Sequence, residues 1–304
     1  MKGLKERTLP LAVTSDSTDL EVEAALLAER QFVFTLGGFA LDIAGATLVT
    51  HEKLPVPRFN FVQELGVGRE RQTSFFEHAL DHYFQRALRP TFRVPTPVPD
   101  HVDAGLRRFG FVAKSSPLYL MLERGPPPKP VNSELRVRTA ERGDLDRVSS
   151  FWTNERERPE FRSALEIAWA HPNPHEQLVP LLGFLGEEAV SAALVYRYRS
   201  TSGIHAVATQ PAARGKGAAS DLVGHALAHD VTGPSSRFFI FVDSSRLERH
   251  LATLGFETAR TFAEYELPAR AELALPRPGP PGPPQWRPPR PDSRGAEPKA
   301  GSAP

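Results

Sequence analysis

Apolar and polar positions alternate along the chain with two periods, and their order predicts a mixed succession of strands and helices. In the second half, Leu135–Thr139 alternates as a short strand, and residues 144–152 follow at helical spacing behind an aspartate. Residues 181–185 and 190–198 are apolar runs separated by Gly186-Glu187-Glu188, which reads as a hairpin. Residues 204–209 form a further strand, 218–230 a helix, Arg237–Val242 a strand and 247–254 a helix; a short strand lies near 263–267. This order predicts an α/β (α+β) fold class, a mixed central sheet flanked by helices.

The two ends of the chain and its middle break the pattern. Thirty prolines among 304 residues are concentrated after about Pro268, where PRPGPPGPPQWRPPRP leads into a Gly- and Ser-containing end. A segment so poor in apolar side chains does not offset its ordering entropy, so residues 269–304 are expected to be a disordered proline-rich tail. Its PxxP spacing, with Trp286 and Arg287, makes it at most a weak interaction segment. Residues 1–20 read as a flexible N-terminus. At 126–132 a run of prolines reads as a semi-rigid linker, leaving 21–125 and 133–268 as two domains. The halves share a signature: Leu106-Arg107-Arg108-Phe109-Gly110-Phe111 matches Leu251-Ala252-Thr253-Leu254-Gly255-Phe256, each closing a helical run before a strand. That repetition predicts an internal duplication.

Composition narrows the function classes. The formal net charge of +1 supplies no field for nucleic acid or an anionic membrane, and the absence of cysteine excludes a disulfide scaffold, a thiolate zinc site and a cysteine nucleophile. Residues 37–50 are the most apolar stretch, but they are short and interrupted by Asp42. Met1 to Thr18 lacks a secretory apolar core, so a cytoplasmic location is expected.

One segment carries chemistry. Between the strand at 204–209 and the helix after it lies Gln210-Pro211-Ala212-Ala213-Arg214-Gly215-Lys216-Gly217-Ala218-Ala219. Two glycines at a helix N-terminus let an anion approach open backbone amides, and Arg214 and Lys216 add charge beside them. A P-loop needs Gly where Gln210 stands, and a dinucleotide fingerprint needs a small third position where Ser220 stands. R-x-x-G-x-[GA] is satisfied by Arg214, Gly217 and Ala219.

With these residues, the segment 133–268 resembles the GCN5-related N-acetyltransferase (GNAT) superfamily, and 21–125 resembles a degenerate second copy. In that copy Gly66-Val67-Gly68-Arg69-Glu70-Arg71 replaces the cradle, and it is not expected to bind CoA. The resemblance implies that Gly215, Lys216, Gly217, Ala218 and Ala219, with Arg214 alongside, hold the diphosphate of acetyl-CoA as co-substrate. It further implies that the edge Val207, Ala208, Thr209 pairs with the pantetheine arm, and that a splay toward Arg237–Val242 admits it. The family's helix-start Asn and mid-helix Tyr fall here on Ser244 and Leu251, so the acid role is unfilled, with Tyr198 and Tyr265 as substitutes. The position of a family glutamate falls on His205, a candidate base. Glu264 and Glu266 are further acidic candidates.

Other constellations give no metal site. His225 and His229 share a helix face with Asp221 that reads as solvated; His171, His175 and Glu176 are split by prolines. Phe151, Trp152, Phe161 and Trp169 read as core. The expected function is acetyl transfer to a small-molecule or peptide amine, by direct attack in a ternary complex. The alternative is a non-catalytic acyl-CoA-binding sensor or scaffold.

Overall fold

The computed structural model describes residues 15–63, 65–153, 158–170, 176–229 and 237–268. Helix α1 (Ser15–Thr35) begins inside the stretch read as a loose end. Its stripe Val22, Ala25, Leu26, Phe32 and Val33 is buried at helical spacing, which makes residues 15–20 part of a packed element rather than a tail. The apolar stretch at 37–50 folds as the hairpin β1 (Phe39–Ile43) and β2 (Ala46–Thr50), turned by Ala44 and Gly45 at positive φ. Then follow β3 (Phe61–Gln63), α2 (Gln72–Phe84), β4 (Thr91–Pro95), α3 (Asp100–Arg108), β5 (Val112–Ala113) and β6 (Leu118–Glu123).

The second half runs β7 (Leu135–Thr139), α4 (Leu145–Ser150), α5 (Arg158–Ala170), β8 (Glu176–Leu185), β9 (Glu188–Tyr198), β10 (Thr201–Thr209), α6 (Ala218–His229), β11 (Arg237–Val242), α7 (Ser245–Ala252) and β12 (Phe256–Glu266). The order matches the hydrophobic pattern, with α5 added and β12 longer than the five residues expected. β12 is half exposed where its pattern fades, and pairing with β4 and β6 supplies what local apolarity does not.

All strands join one mixed sheet in the order β1-β2-β3-β4-β12-β6-β11-β10-β9-β8-β7, with β5 paired to β12. The last strand of each half lies across the middle. β6 sits between β11 and β12, and β12 sits between β4 and β6. The described residues from 15 to 268 therefore form one compact unit rather than two bodies on a linker. Within it, β3–α2–β4–α3–β6 repeats the order of β10–α6–β11–α7–β12, each with a parallel pair flanking the first helix.

Helices cover both faces. Leu178, Leu182, Leu194 and Tyr196 pack with α1, α4 and α5, while Val179, Leu181, Ala193 and Val195 pack under α6 and α7. Strands buried on both faces read as continuous apolar runs, which is why β8 and β9 show little alternation. Phe161 is buried there, with Phe151, Trp152 and Trp169 packed against it as expected. The linker also packs: Asp221 accepts hydrogen bonds from the backbone N–H of Val131 (2.6 Å) and Asn132 (2.8 Å). Asp221 is thus buried beneath the linker, not on a solvated helix face. The tail at 269–304 and the pair His171 and His175 lie outside the described residues, as does the side chain of His229.

Candidate active site

β10 and β11 are hydrogen-bonded in parallel only from Thr201↔Arg237 to Ile204↔Ile240, and then separate. The register of β10 against β9 shifts between His205 and Ala208, with Ala206 in the left-handed region at φ 52°. This conformation costs an L-residue roughly 1–2 kcal/mol, held in place by the surrounding sheet. Beyond the bulge Ala208 and Thr209 still pair with β9, so the other edge of Val207–Thr209 faces the gap without a strand partner. A cavity of about 440 Å³ occupies that gap, walled by Val207, by Ala219 and Val223 of α6, by Val242, and by Leu247 and Leu251 of α7.

At one end the cavity meets the first turn of α6. Gly215 and Gly217 adopt φ of 76° and 83°, so both require the left-handed conformation that glycine takes without strain. A Cβ on Gly215 would meet nothing within 4 Å, leaving open space for a ligand beside the backbone. A Cβ on Gly217 would lie 2.9 Å from Val131, so this glycine also admits the linker. The first bond of the turn runs from Asp221 N–H to Gly217 C=O, and the amides before it point out of the helix end. Asn132 steadies the loop by donating to Lys216 C=O at 3.0 Å, and Arg214 folds back on Thr209 C=O at 3.3 Å.

The equivalent loop of the first half is built differently. Gly66 and Gly68 do not take positive φ, and Gly66 N–H is spent on Gly45 C=O at 2.8 Å. Phe75 and Phe76 of the helix that follows pack ring to ring with Phe92 and Phe111, at centroid separations of 4.8 to 6.4 Å.

The acetyltransferase (GNAT) family model matches residues 145–256, the segment that holds the splay, the cradle and α7. Residues 145–256 are a GNAT domain. The fold is shared with a GCN5-related N-acetyltransferase from Kribbella flavida (13% identity, 85% of this chain and 98% of that one, TM-score 0.58). A GCN5-related N-acetyltransferase from Sphaerobacter thermophilus is similar at 15% identity, covering 73% and 77% (TM-score 0.54). So is a tandem GNAT protein from the clavulanic acid biosynthesis pathway, at 13% identity over 69% and 75% (TM-score 0.51). No protein of curated function matches the sequence. Among the described residues no helix is long and apolar enough to cross a membrane.

Of the residues singled out in the sequence, Val207, Ala219, Leu251 and the acidic candidate Glu264 line the cavity, whereas His205, Ser244, Tyr198 and Tyr265 do not. His205 is buried on the opposite side of β10 from Ile204. Its ring stacks on Phe32 at 4.1 Å and 12°, sits edge-on to Phe239, and leaves Nε2 without a partner. Burial drives its pKa well below the ordinary histidine value, with Arg58 adding to the effect, so it is neutral at pH 7. Ser244 caps α7, its hydroxyl accepting from Arg246 N–H at 3.2 Å. Tyr265 donates to Asp103 at 2.7 Å, and burial with that carboxylate raises its pKa to about 12. Tyr198 packs beside the core under Arg199. Leu251 is buried in the cavity wall, while its neighbour His250 also lines the cavity, hydrogen-bonded to Ser220 at 2.8 Å.

The far end of the cavity joins the acidic candidate Glu264 to residues of the first half that sequence reasoning missed. Arg93 of β4, Glu29 of α1 and Glu264 of β12 form a buried cluster, with Arg93 bridging Glu29 (2.8 Å) and Glu264 (3.2 Å). Burial lowers the Arg93 pKa, but the two carboxylates outweigh it and the net shift is upward. Lys114 reaches Glu264 at 3.0 Å. Arg58 and Asp243 complete the charged lining. The signal was present in two places: Glu29 interrupts the apolar stripe of α1, and Arg93 puts a charge on the face opposite Phe92 and Val94 in a strand buried on both faces.

Proposed function

We propose that the protein is an acetyl-CoA-dependent N-acyltransferase whose acceptor is an amine. The observation that carries this reading is one cavity that runs from Ala219 and Ser220, in the first turn of α6 behind the two-glycine loop, to a charged chamber. Its size is ordinary for a ligand site. Bound acetyl-CoA supplies an activated acetyl group; this chain supplies position and electrostatics.

The loop Arg214–Ala219 holds the diphosphate through its amides, and the free edge of Val207–Thr209 pairs with the pantetheine arm. A backbone N–H of that edge faces the thioester oxygen and stabilises the charge that develops there. The first half, read as a degenerate duplicate without a cradle, acts as the acceptor wall, bringing Glu29 and Arg58 into the cavity. Glu29 Oε2 is buried and has no hydrogen-bond partner, so we assign the amine nitrogen to it in preference to His205. The amine attacks the acetyl carbon, the C–N bond forms as C–S breaks, and the nitrogen's proton passes to a cavity carboxylate, Glu29 or Asp243. His250 stands in for the acid that Leu251 does not supply and donates a proton to the leaving thiolate.

Leu251 favours a second reading, an acyl-CoA binder without turnover. Calorimetry with acetyl-CoA followed by thiol release across a panel of amines separates the two. Binding with amine-dependent thiol release supports the enzyme. Binding with no release from any amine supports the sensor, and no binding removes both.

A further inference from the structure

We propose that the acceptor is an amine that also carries a carboxylate, held by Arg58 at its anionic end and by the free oxygen of Glu29 at its nitrogen. The inference rests on the acyl-transfer reading and names the substrate class of that site.

The charges of the chamber are unequally satisfied. Arg93 and Lys114 are each bound by two carboxylates. Arg58 alone among these cations has no hydrogen bond or ion pair with any described residue, although it lines the same cavity. Its side chain is open to solvent on the cavity wall rather than sealed in the core, and the charges around it are mixed: desolvation and Arg93 oppose its cationic form while Glu29 and Asp243 favour it, for a net downward shift. A guanidinium remains charged under any such shift, so five N–H donors are presented to the cavity with no protein acceptor.

Its presentation is built rather than incidental. Arg58 sits in a single helical turn, Pro57–Phe59, started by a proline and anchored beneath by buried Phe59. The loop around it is tied by the buried side chain of Asn60. Its Oδ1 accepts from His51 N–H at 2.9 Å, and its Nδ2 donates to Leu54 C=O (2.8 Å) and Val56 C=O (3.0 Å). His51 Nδ1 in turn accepts from Leu54 N–H at 3.2 Å, and Nε2 donates to Leu36 C=O at 3.0 Å. The backbone that carries Arg58 is therefore fixed before any ligand arrives, and the planar fork of its guanidinium matches a carboxylate in two parallel hydrogen bonds.

The second anchor is independent. Glu29 Oε1 is spent on Arg93, while Oε2 is buried and unpartnered. An ionised carboxylate oxygen only accepts, so its natural complement is an N–H of the acceptor amine. One unpaired cation calls for one unit of negative charge. A phosphate dianion would bring a second charge against Glu29, Asp243 and Glu264, so a carboxylate fits the balance better.

The test uses the full chain and three matched series: amines bearing a carboxylate, the same amines as neutral carboxamides, and the same amines bearing a phosphonate. Wild type is expected to prefer the carboxylate series by about 10- to 100-fold in kcat/KM, the worth of hydrogen bonds to a charged group. Arg58→Gln should erase that preference through KM with acetyl-CoA affinity unchanged, and Arg58→Lys should restore part of it. Equal use of the carboxamides, preference for the phosphonates, or a preference that survives Arg58→Gln overturns the inference while acyl transfer stands. If nothing turns over, calorimetry of the carboxylate amines against CoA-loaded protein decides: Arg58-dependent binding supports the inference and its absence overturns it. Failure of acetyl-CoA itself to bind removes the underlying reading, a distinguishable result.

Discussion

Arg93 places Nη1 2.8 Å from Glu29 Oε1, joining β4 to α1 across the floor of the cavity. With Glu264 on its Nε and its guanidinium 3.8 Å above the Phe61 ring, it is enclosed on every side that the protein supplies. Removing one member of such a cluster leaves charge buried without compensation. Arg93→Met is therefore expected to lower stability by about 3–5 kcal/mol. Adding Glu29→Gln to that variant should recover part of the loss, because the two sites are coupled. Urea unfolding of the single and double variants reads both numbers. Additive losses would mean that the cluster is not a unit.

The sheet's existence and the two-glycine turn before α6 were legible in the sequence, because both are written in local pattern. β7 to β11 follow from apolar runs and turn residues, and Gly215-Lys216-Gly217 announces its helix end by chemistry alone. The exchange of β6 and β12 was not legible, since pairing partners 140 or so residues apart leave no trace in local periodicity. For the same reason the shared L-x-x-[FL]-G-F suggested two separable domains, whereas the strands that follow it fuse the halves. His205 looked like a base because a strand histidine reads identically whether its ring meets a cavity or, as here, Phe32. The charged chamber was missed because Glu29, Arg58, Arg93 and Glu264 come together only when the two halves close on each other.

Gly215 offers a cleaner test of the cradle than Gly217. Any side chain at Gly217 meets Val131 and disturbs the linker, so lost binding there has two explanations. At Gly215 there is free space, and aspartate tolerates the left-handed conformation better than most residues. Gly215→Asp is expected to weaken acetyl-CoA binding at least about tenfold by setting a negative charge against the diphosphate, while Gly215→Asn weakens it less. Calorimetry checks the affinities, and thermal melting of the free protein should change little. Undiminished affinity in the aspartate variant would place the diphosphate elsewhere.

Two buried histidines make stability depend on pH. Burial lowers the pKa of His51 and, far more, of His205, so both are neutral in the folded chain and take up protons near pH 6.5 once unfolded. Between that value and their lowered folded values the unfolded state binds more protons, so stability falls as pH falls from about 6.5 toward 5. The fully buried His205 contributes at most about 1.4 kcal/mol per pH unit. His205→Phe, which keeps an aromatic ring against Phe32, should flatten the slope by that share. For His51 protonation has a local consequence: Nδ1 would no longer accept from Leu54 N–H, loosening the loop that carries Arg58. Denaturant melts from pH 7 to 5 test the slope, and an unchanged slope in His205→Phe would mean that the ring is already protonated in the fold.

His250 completes the assignment of the cleft by a different route. It projects from α7 to Ser220 at the start of α6, so it touches the cavity and also ties two helices together. The two roles separate by substitution. His250→Gln retains a group able to hydrogen-bond Ser220 but offers no exchangeable acid. Stability and acetyl-CoA affinity should therefore hold while kcat falls by about 10- to 100-fold. That is less than general acids often contribute, because a thiolate leaves readily on its own. Ser220→Ala, which frees the ring but keeps its proton, should cost less in kcat than His250→Gln. Rates of thiol release measured at saturating acetyl-CoA decide the order. If Ser220→Ala and His250→Gln lower kcat equally, the ring acts by holding α7 against α6 and the proton to the thiolate comes from another donor.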